Sequence, residues 1–199
     1  SIVIPNPYRD QLFIKLTKNK RNKDLVFLGR LVSDKGLDVL FQALHLLLKE
    51  GTCPTLTIIG QGPEKDRLQR MAKSLHLENI SFVGKKVGTE LVEILNKHKI
   101  LVVPSRWNEP FGVVALEGMA CGCLVVGSSG GGLAEAIGNA GLTFNNGDHI
   151  ALRNVLSLAL NDDKVYYHKL AQVPDHLHKH QANAVVVKYL EAFTDEKFV

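Results

Sequence analysis

Glu109 and Glu117 bracket the stretch Glu-Pro-Phe-Gly-Val-Val-Ala-Leu-Glu, a carboxylate at each end of a segment that turns through Pro110 and Gly112 into an apolar run. That pattern predicts a loop entering a helix. The first turn of a helix carries unpaired N–H groups and a partial positive charge, so the amides near Gly112, Val113 and Val114 suit phosphate oxygens. A carboxylate accepts two hydrogen bonds from a vicinal diol, and sugars and ribose are the common biological diols. Phosphate-binding amides flanked by two diol readers describe a site for a nucleotide-sugar. Two cations belong to the same chemistry. Arg30 follows an apolar run directly, and Lys35-Gly36 comes five residues later. Arginine pairs bidentately with phosphate and lysine offers a point charge, so together they neutralise a diphosphate.

These groups meet only if the chain folds to bring them to one edge. Short β-branched runs alternate with helical spacing along almost the whole length. Strands are expected at Leu25–Leu28, Leu56–Ile59, Ile80–Val83, Ile100–Val103, Leu124–Val126 and Leu142–Phe144. Helices are expected at Leu37–Lys49, Lys65–Leu75, Glu90–Lys97, Val113–Ala120, Ile150–Leu160, Lys164–Gln172 and Asn183–Phe193, with Pro174 breaking the chain before the last of them. Strands apolar at nearly every position are covered on both faces. The fold class is therefore α/β: a doubly wound, mainly parallel, Rossmann-like sheet with helices on both faces. Ligands bind such sheets at the carboxyl ends of the strands. The loops at that edge are the glycine-rich ones: Gly29-Arg30, Gly60-Gln61-Gly62, Gly84 to Gly88, Pro104 to Gly112 and Gly127 to Gly132.

The 199 residues suffice for one sizeable core, and 45% hydrophobic against 22% charged residues is ordinary for a globular protein. No apolar stretch approaches a membrane span, which predicts a soluble chain. Net charge is +4, with much of the excess in the run Lys15, Lys18, Lys20, Arg21, Lys23. No aromatics interleave it, so it is expected to be a solvated linker that binds no nucleic acid, with local attraction to anionic lipid as the other reading. Cys53, Cys121 and Cys123 lack paired metal spacing and read as reduced core residues of a cytosolic protein. His176, His178 and His180 have no cysteine or acid cluster to complete a zinc site. The chain opens Ser1-Ile2-Val3-Ile4 without an initiator methionine or a leader pattern, as expected of a piece of a longer polypeptide.

Several motifs in register carry a family resemblance. Gly29-Arg30-Leu31 with Lys35-Gly36, Ile59-Gly60-Gln61-Gly62-Pro63, Phe82-Val83-Gly84, Pro104-Ser105, Glu109-Pro110-Phe111-Gly112, Glu117 and Gly131-Gly132-Leu133-Ala134-Glu135 together resemble the C-terminal, donor-binding half of glycosyltransferase family 4 (group 1), retaining enzymes of GT-B architecture. The resemblance runs from Ile4 to about Asp148 and weakly through the last helix. It implies that Arg30, Lys35 and Glu109 are the catalytic groups, the two cations on the diphosphate and Glu109 on donor-sugar hydroxyls. Glu117 would read the ribose diol, Phe111, Gly112, Val113 and Val114 the sugar and phosphate, and the loop at Lys86 and Val87 the base, with Gly29, Gly60 and Gly62 completing the donor site. It implies no cofactor and no metal beyond the nucleoside-diphosphate sugar itself. The chain departs from the family pattern at Pro7, Gly118 and Leu124, none of which removes a proposed ligand contact.

The implied division is 1–22 as an interdomain linker, 23–175 as the nucleotide-sugar-binding domain, and 176–199 as a helical segment crossing back to an absent amino-terminal acceptor domain. The implied reaction is transfer of a hexose to an acceptor by a cytoplasmic enzyme, with peripheral association to the inner face of a membrane through the full-length protein. The isolated chain would then bind nucleotide and be inactive. Two other readings of the residues stay open: a sugar-nucleotide epimerase of the same architecture, and a non-catalytic nucleotide-sugar-binding module. A dinucleotide-binding oxidoreductase domain fits less well. Gly60-x-Gly62 lacks the third glycine of that fingerprint, Lys65 standing in its place, and it follows the second strand instead of the first.

Overall fold

A computed structural model describes residues 4–17 and 20–194. Parts of three expectations fall outside them: residues 1–3 of the opening segment, Lys18 of the basic run, and residues 195–199 of the closing segment. Strands β1 (Lys23–Leu28), β2 (Leu56–Ile59), β3 (Ile80–Gly84), β4 (His98–Val103), β5 (Leu124–Ser128) and β6 (Leu142–Phe144) form one parallel sheet in the order β3-β2-β1-β4-β5-β6. The chain winds outward in one direction from β1 and in the other from β4. The strand order therefore reverses between β1 and β4, and the crevice outside their carboxyl ends is where open α/β sheets take ligands.

Alternation along each strand divides the core in two. Leu25 and Phe27 of β1, Ile58 of β2 and Val102 of β4 face a layer built from α1 (Leu37–Lys49), α2 (Lys65–Ser74) and α6 (His149–Asn161). Val26, Ile59, Leu101 and Val125 face the opposite layer, formed by α3 (Gly88–Asn96), α4 (Val113–Ala120), α5 (Leu133–Ile137) and α8 (Val173–His178). The remaining helices are α7 (Asp163–Ala171) and α9 (Ala182–Thr194). Among the described residues, no helix is long and apolar enough to cross a membrane.

The expected strands and long helices are present with their ends moved by a residue or two, and the departures have local causes. Helix α5 is a single short run between Gly132 and Gly138, too brief to show a helical period. Pro174 does not merely break the chain: it sits in the first turn of α8, where its missing N–H has no intrahelical partner to lose. Nor is the basic run wholly a solvated linker. The Arg21 guanidinium donates to the carbonyl oxygens of His98 (2.6 Å) and Cys121, fastening the chain before β1 to the start of β4 and the end of α4. Cys121 and Cys123 are buried as expected, whereas Cys53 is exposed, because it lies in the connection before β2 and not in the core.

Residues before the sheet also pack. Tyr8 and Phe13 are buried, and the carboxamide of fully buried Asn96 accepts from the Leu16 amide (2.7 Å) and donates to the carbonyls of Ile14 and Val92 (2.9 Å each). Satisfying the buried amide in this way offsets its desolvation.

Candidate nucleotide-sugar site

The loops after β1 and β4 are stitched together at the switch point. A 3-10 turn, Ser33–Lys35, follows β1, and the Asp34 carbonyl accepts from the amides of Arg106 (2.8 Å) and Trp107 (3.3 Å). Gly36 closes the turn in the left-handed region (φ 67°), and a β-carbon there would run into the Pro104 carbonyl. Only glycine meets both demands. The close approach places the Lys35 Nζ 2.5 Å from Glu109 Oε1, and the Ser105 hydroxyl donates to the same oxygen (2.6 Å). The pair is largely withdrawn from solvent, with side chains 27% and 14% exposed.

Glu109 is fixed through its backbone as well. Its carbonyl accepts from the Gly132 amide (2.8 Å), and it forms an isolated parallel bridge with Gly131 after β5. Asn146 supports this junction from behind: its carboxamide accepts from the Gly130 amide (2.7 Å) and donates to the Arg106 carbonyl (3.3 Å). Beyond Glu109 the chain enters α4 through Gly112, which is left-handed (φ 90°, ψ 50°) and offers no side chain as a cap. The first helical bond runs from the Ala115 amide to the Gly112 carbonyl, and the amides of Val113 and Val114 have no partner among the described residues.

Glu117 lies one turn further along α4, its side chain 14% exposed. Burial raises its pKa above the ordinary glutamate value, and Arg9 opposes the rise from 3.8 Å across the solvent boundary. Arg9 is itself held over the Phe13 ring, 5.3 Å from the centroid.

The other expected residues gather next door. Gly29, Arg30, Gly60, Gly62 and Lys86 line one open cavity of about 480 Å³ between the carboxyl ends of β1, β2 and β3. The loops there are tied by the Leu31 amide to the Gln61 carbonyl (3.0 Å) and the Glu64 amide to the Leu31 carbonyl (3.1 Å). Arg30 is exposed and forms no ion pair among the described residues. Lys86 pairs with Glu90 at 2.5 Å, and Val87 is a 65% exposed residue at the entrance to α3. The expected residues thus fall into two groups: Lys35, Glu109 and the α4 entrance in one, Arg30 with the glycines and Lys86 in the other. Both stand at the carboxyl edge of the sheet.

Sequence reasoning missed three participants. Ser105 had a signal, standing four residues before Glu109 and two after the end of β4. Asn146 and Arg9 had none, because they reach the site only through tertiary contacts. Two of the three clustered histidines bond backbone: His176 the Ala136 carbonyl (2.8 Å) and His180 the Asn6 carbonyl (3.3 Å), with the two rings 5.0 Å apart. Among the described residues no group of three His, Cys, Asp or Glu is placed to hold a metal ion.

Residues 9–173 match the family described as glycosyl transferases group 1. The chain belongs to that family. It is 39% identical over 137 residues to a glycogen synthase of Mycobacterium tuberculosis, covering 68% of this chain and 32% of the relative. It is 36% identical over 154 residues to a D-inositol 3-phosphate glycosyltransferase of Corynebacterium jeikeium, covering 72% and 36%. The chain therefore spans about a third of the length of these curated relatives. Among solved structures, Anabaena Alr3699/HepE in complex with UDP and glucose superposes with a TM-score of 0.82 at 21% identity, over 97% of this chain and 56% of that one. The C-terminal domain of a glycosyl transferase group 1 protein, LpcC, from Francisella tularensis superposes with a TM-score of 0.76 at 23% identity, over 87% of this chain and 98% of that domain. The fold is the Rossmann-like domain of GT-B glycosyltransferases.

Proposed function

We propose that this chain is the donor-binding half of a retaining glycosyltransferase that moves a hexose from a nucleoside-diphosphate sugar to an acceptor. The observation that carries the reading is the Lys35–Glu109 pair at the strand-order reversal, set beside the open first turn of α4 and a second acid, Glu117, on the same helix. The near-complete coverage of a solved C-terminal domain supports the assignment to that half, and the UDP complex of HepE supports a nucleotide ligand.

In this reading Arg30, Lys35 and the amides of Val113 and Val114 stabilise negative charge on the departing diphosphate, an electrostatic role whose donors are already in place. Glu109 accepts from sugar hydroxyls and Glu117 from the ribose diol. Lys86 and Val87 border the base. The chain supplies positive charge from its own side chains and amides, so the reaction proceeds without a metal or other cofactor. In this reading the leaving phosphate itself takes the acceptor proton on the sugar's front face, as the bond to the diphosphate breaks and the bond to the acceptor forms on the same side, which gives retention without a protein base. The acceptor would sit on the amino-terminal domain of the full-length enzyme. The apolar residues that α9 exposes, Val186, Leu190 and Phe193, suit the return crossing to that domain.

The test is a calorimetric and thermal-shift titration with UDP, GDP and ADP and with their glucose, mannose and N-acetylglucosamine conjugates. Selective stabilisation by one nucleotide, with little or no transfer by the isolated chain, is the expected result. Absence of binding to every nucleotide would refute the donor assignment, and robust turnover by this chain alone would refute the division of labour.

A further inference from the structure

The opposite end of the sheet holds a second basic cavity. About 380 Å³ in volume, it opens where the chain enters β1, β4 and β5, and its wall includes Lys15, Arg21, Lys99, Tyr166 and Tyr167. Three cations face one carboxylate there, Asp163. Lys99 is partly balanced by Asp24 at 3.4 Å, whereas Lys15 and Arg21 form no ion pair among the described residues. Two backbone carbonyls hold the Arg21 guanidinium in place, and its nearer nitrogen lies 3.9 Å from the Cys123 sulfur. Carbonyl dipoles orient a guanidinium but leave its full charge to be matched. Arginine also has five donors, more than these contacts consume. Burial chiefly holds the nearby His98 imidazole below its ordinary pKa, with Lys23 and Arg21 adding to the shift and Asp24 opposing it. The aromatic wall adds a surface for an attached group, with Tyr166 and Tyr167 in edge-to-face contact (5.2 Å) and Tyr167 65% exposed.

We propose that this cavity, centred on Arg21 with Lys15 and Lys99 at its rim, is an anion site for a phosphate-bearing ligand, separate from the nucleotide-sugar site. A phosphate dianion there would meet a fixed guanidinium and two mobile ammonium groups, the combination that recognises phosphate through both geometry and charge. Nothing in this assignment depends on the donor reading, because the two sites lie at opposite ends of the strands.

The experiment titrates inorganic phosphate, followed by calorimetry and by 31P line broadening, into an Arg30→Ala, Lys35→Ala double variant, so that the carboxyl edge of the sheet does not contribute. A parallel arm measures co-sedimentation with phosphatidylcholine vesicles with and without phosphatidylserine. Phosphate binding that Lys15→Glu weakens about tenfold or more supports the site with a soluble ligand. Vesicle binding that needs phosphatidylserine and Lys15, together with binding of free phosphate, supports it with a lipid headgroup; vesicle binding without binding of free phosphate is surface charge alone and overturns the site. Lys15→Glu is the primary variant because Arg21→Gln also removes the tether to His98 and Cys121. No binding in either arm, or binding that Lys15→Glu and Lys99→Glu leave unchanged, overturns the proposal.

Discussion

Replacing Glu117 separates a ligand-reading acid from a structural one, because the structure predicts opposite effects on binding and on stability. The carboxylate is 14% exposed, and its one ion-pair partner among the described residues is Arg9 at 3.8 Å, a side chain 68% exposed. A pair at that distance is worth about 1 kcal/mol in water and less when screened by salt, too little to offset desolvation of the acid. Burial accordingly raises the Glu117 pKa against the pull of Arg9. A ribose diol donating to this carboxylate forms charge-assisted hydrogen bonds of about 1.5–3 kcal/mol. Glu117→Ala should therefore weaken nucleotide binding about ten- to a hundredfold. The folded chain itself should not lose stability at neutral pH. An acid whose folded pKa lies above its unfolded value favours folding most while protonated in both states, and that contribution declines as pH rises through the interval between the two values. Glu117→Gln removes the penalty that remains above the interval. Ligand binding has the opposite pH dependence: affinity in the parent chain should fall as pH drops through the raised Glu117 pKa, and the Gln variant should lose that dependence. Calorimetry across pH, paired with thermal melts of the ligand-free chain, measures both quantities. Unchanged nucleotide affinity removes Glu117 from the site, and a loss of affinity matched by an equal loss of stability makes its role structural.

Arg30→Ala should weaken nucleoside diphosphates far more than the parent nucleosides, since Arg30 lines the cavity with a charge that pairs with no carboxylate among the described residues; equal losses in parallel titrations would contradict a phosphate contact. Glu109→Ala should reduce affinity for the sugar conjugate more than for the bare diphosphate, and the reverse order would argue against a sugar contact. Gly118→Ala should cost up to about 2 kcal/mol in urea denaturation, because the added β-carbon would collide with Leu101 of β4, a clash of about 1–3 kcal/mol set against a gain in helix propensity of about 1 kcal/mol; a stabilised variant would show that α4 has room to move. Iodoacetamide should modify Cys53 alone in the native chain, as burial pushes the Cys121 thiol up to about 12 and that of Cys123 up to about 11; native-state adducts on Cys121 in a mass spectrum would refute this.

What could be read from the sequence was local. Leu56–Ile59 and Leu142–Phe144 stand where their apolar runs place them, as does helix Leu37–Lys49, because alternation, helical period and glycine-rich ends are properties of neighbouring residues. The carboxyl-edge loops were also legible, since a parallel sheet puts every strand end of one sense on one side. Contacts that close over long separations were not. Arg21 looked like one more charge in a solvated run, and nothing near it in sequence shows that it tethers His98 and Cys121. Asn96 reads as an ordinary helix-end residue until Ile14 and Leu16 arrive to satisfy its amide. Pro174 was legible as a discontinuity but not as a beginning, because a proline marks a break and a first turn equally well.

The same distinction explains how the site is charged. Residue type and spacing made Lys35 a phosphate cation and Glu109 a diol reader, and the family resemblance implied the sugar for Glu109, but the fold joins the two into a single pair with Ser105 as a second donor. Pairing changes what each contributes. A lysine bonded to a carboxylate costs less to withdraw from water than a lone one, which lets the Lys35 side chain be only 27% exposed. Its charge is then shared: a diphosphate must compete with Glu109 for the ammonium, and sugar hydroxyls that donate to Glu109 loosen that hold. Arg30, exposed and with no such pair among the described residues, faces no equivalent competition. The arrangement favours a ligand that brings both an anion and donor hydroxyls, because each half of such a ligand offsets the charge that the other half displaces. On the proposed donor reading, a bare phosphate would draw on Lys35 without compensating Glu109, whereas a nucleoside-diphosphate sugar would satisfy both at once.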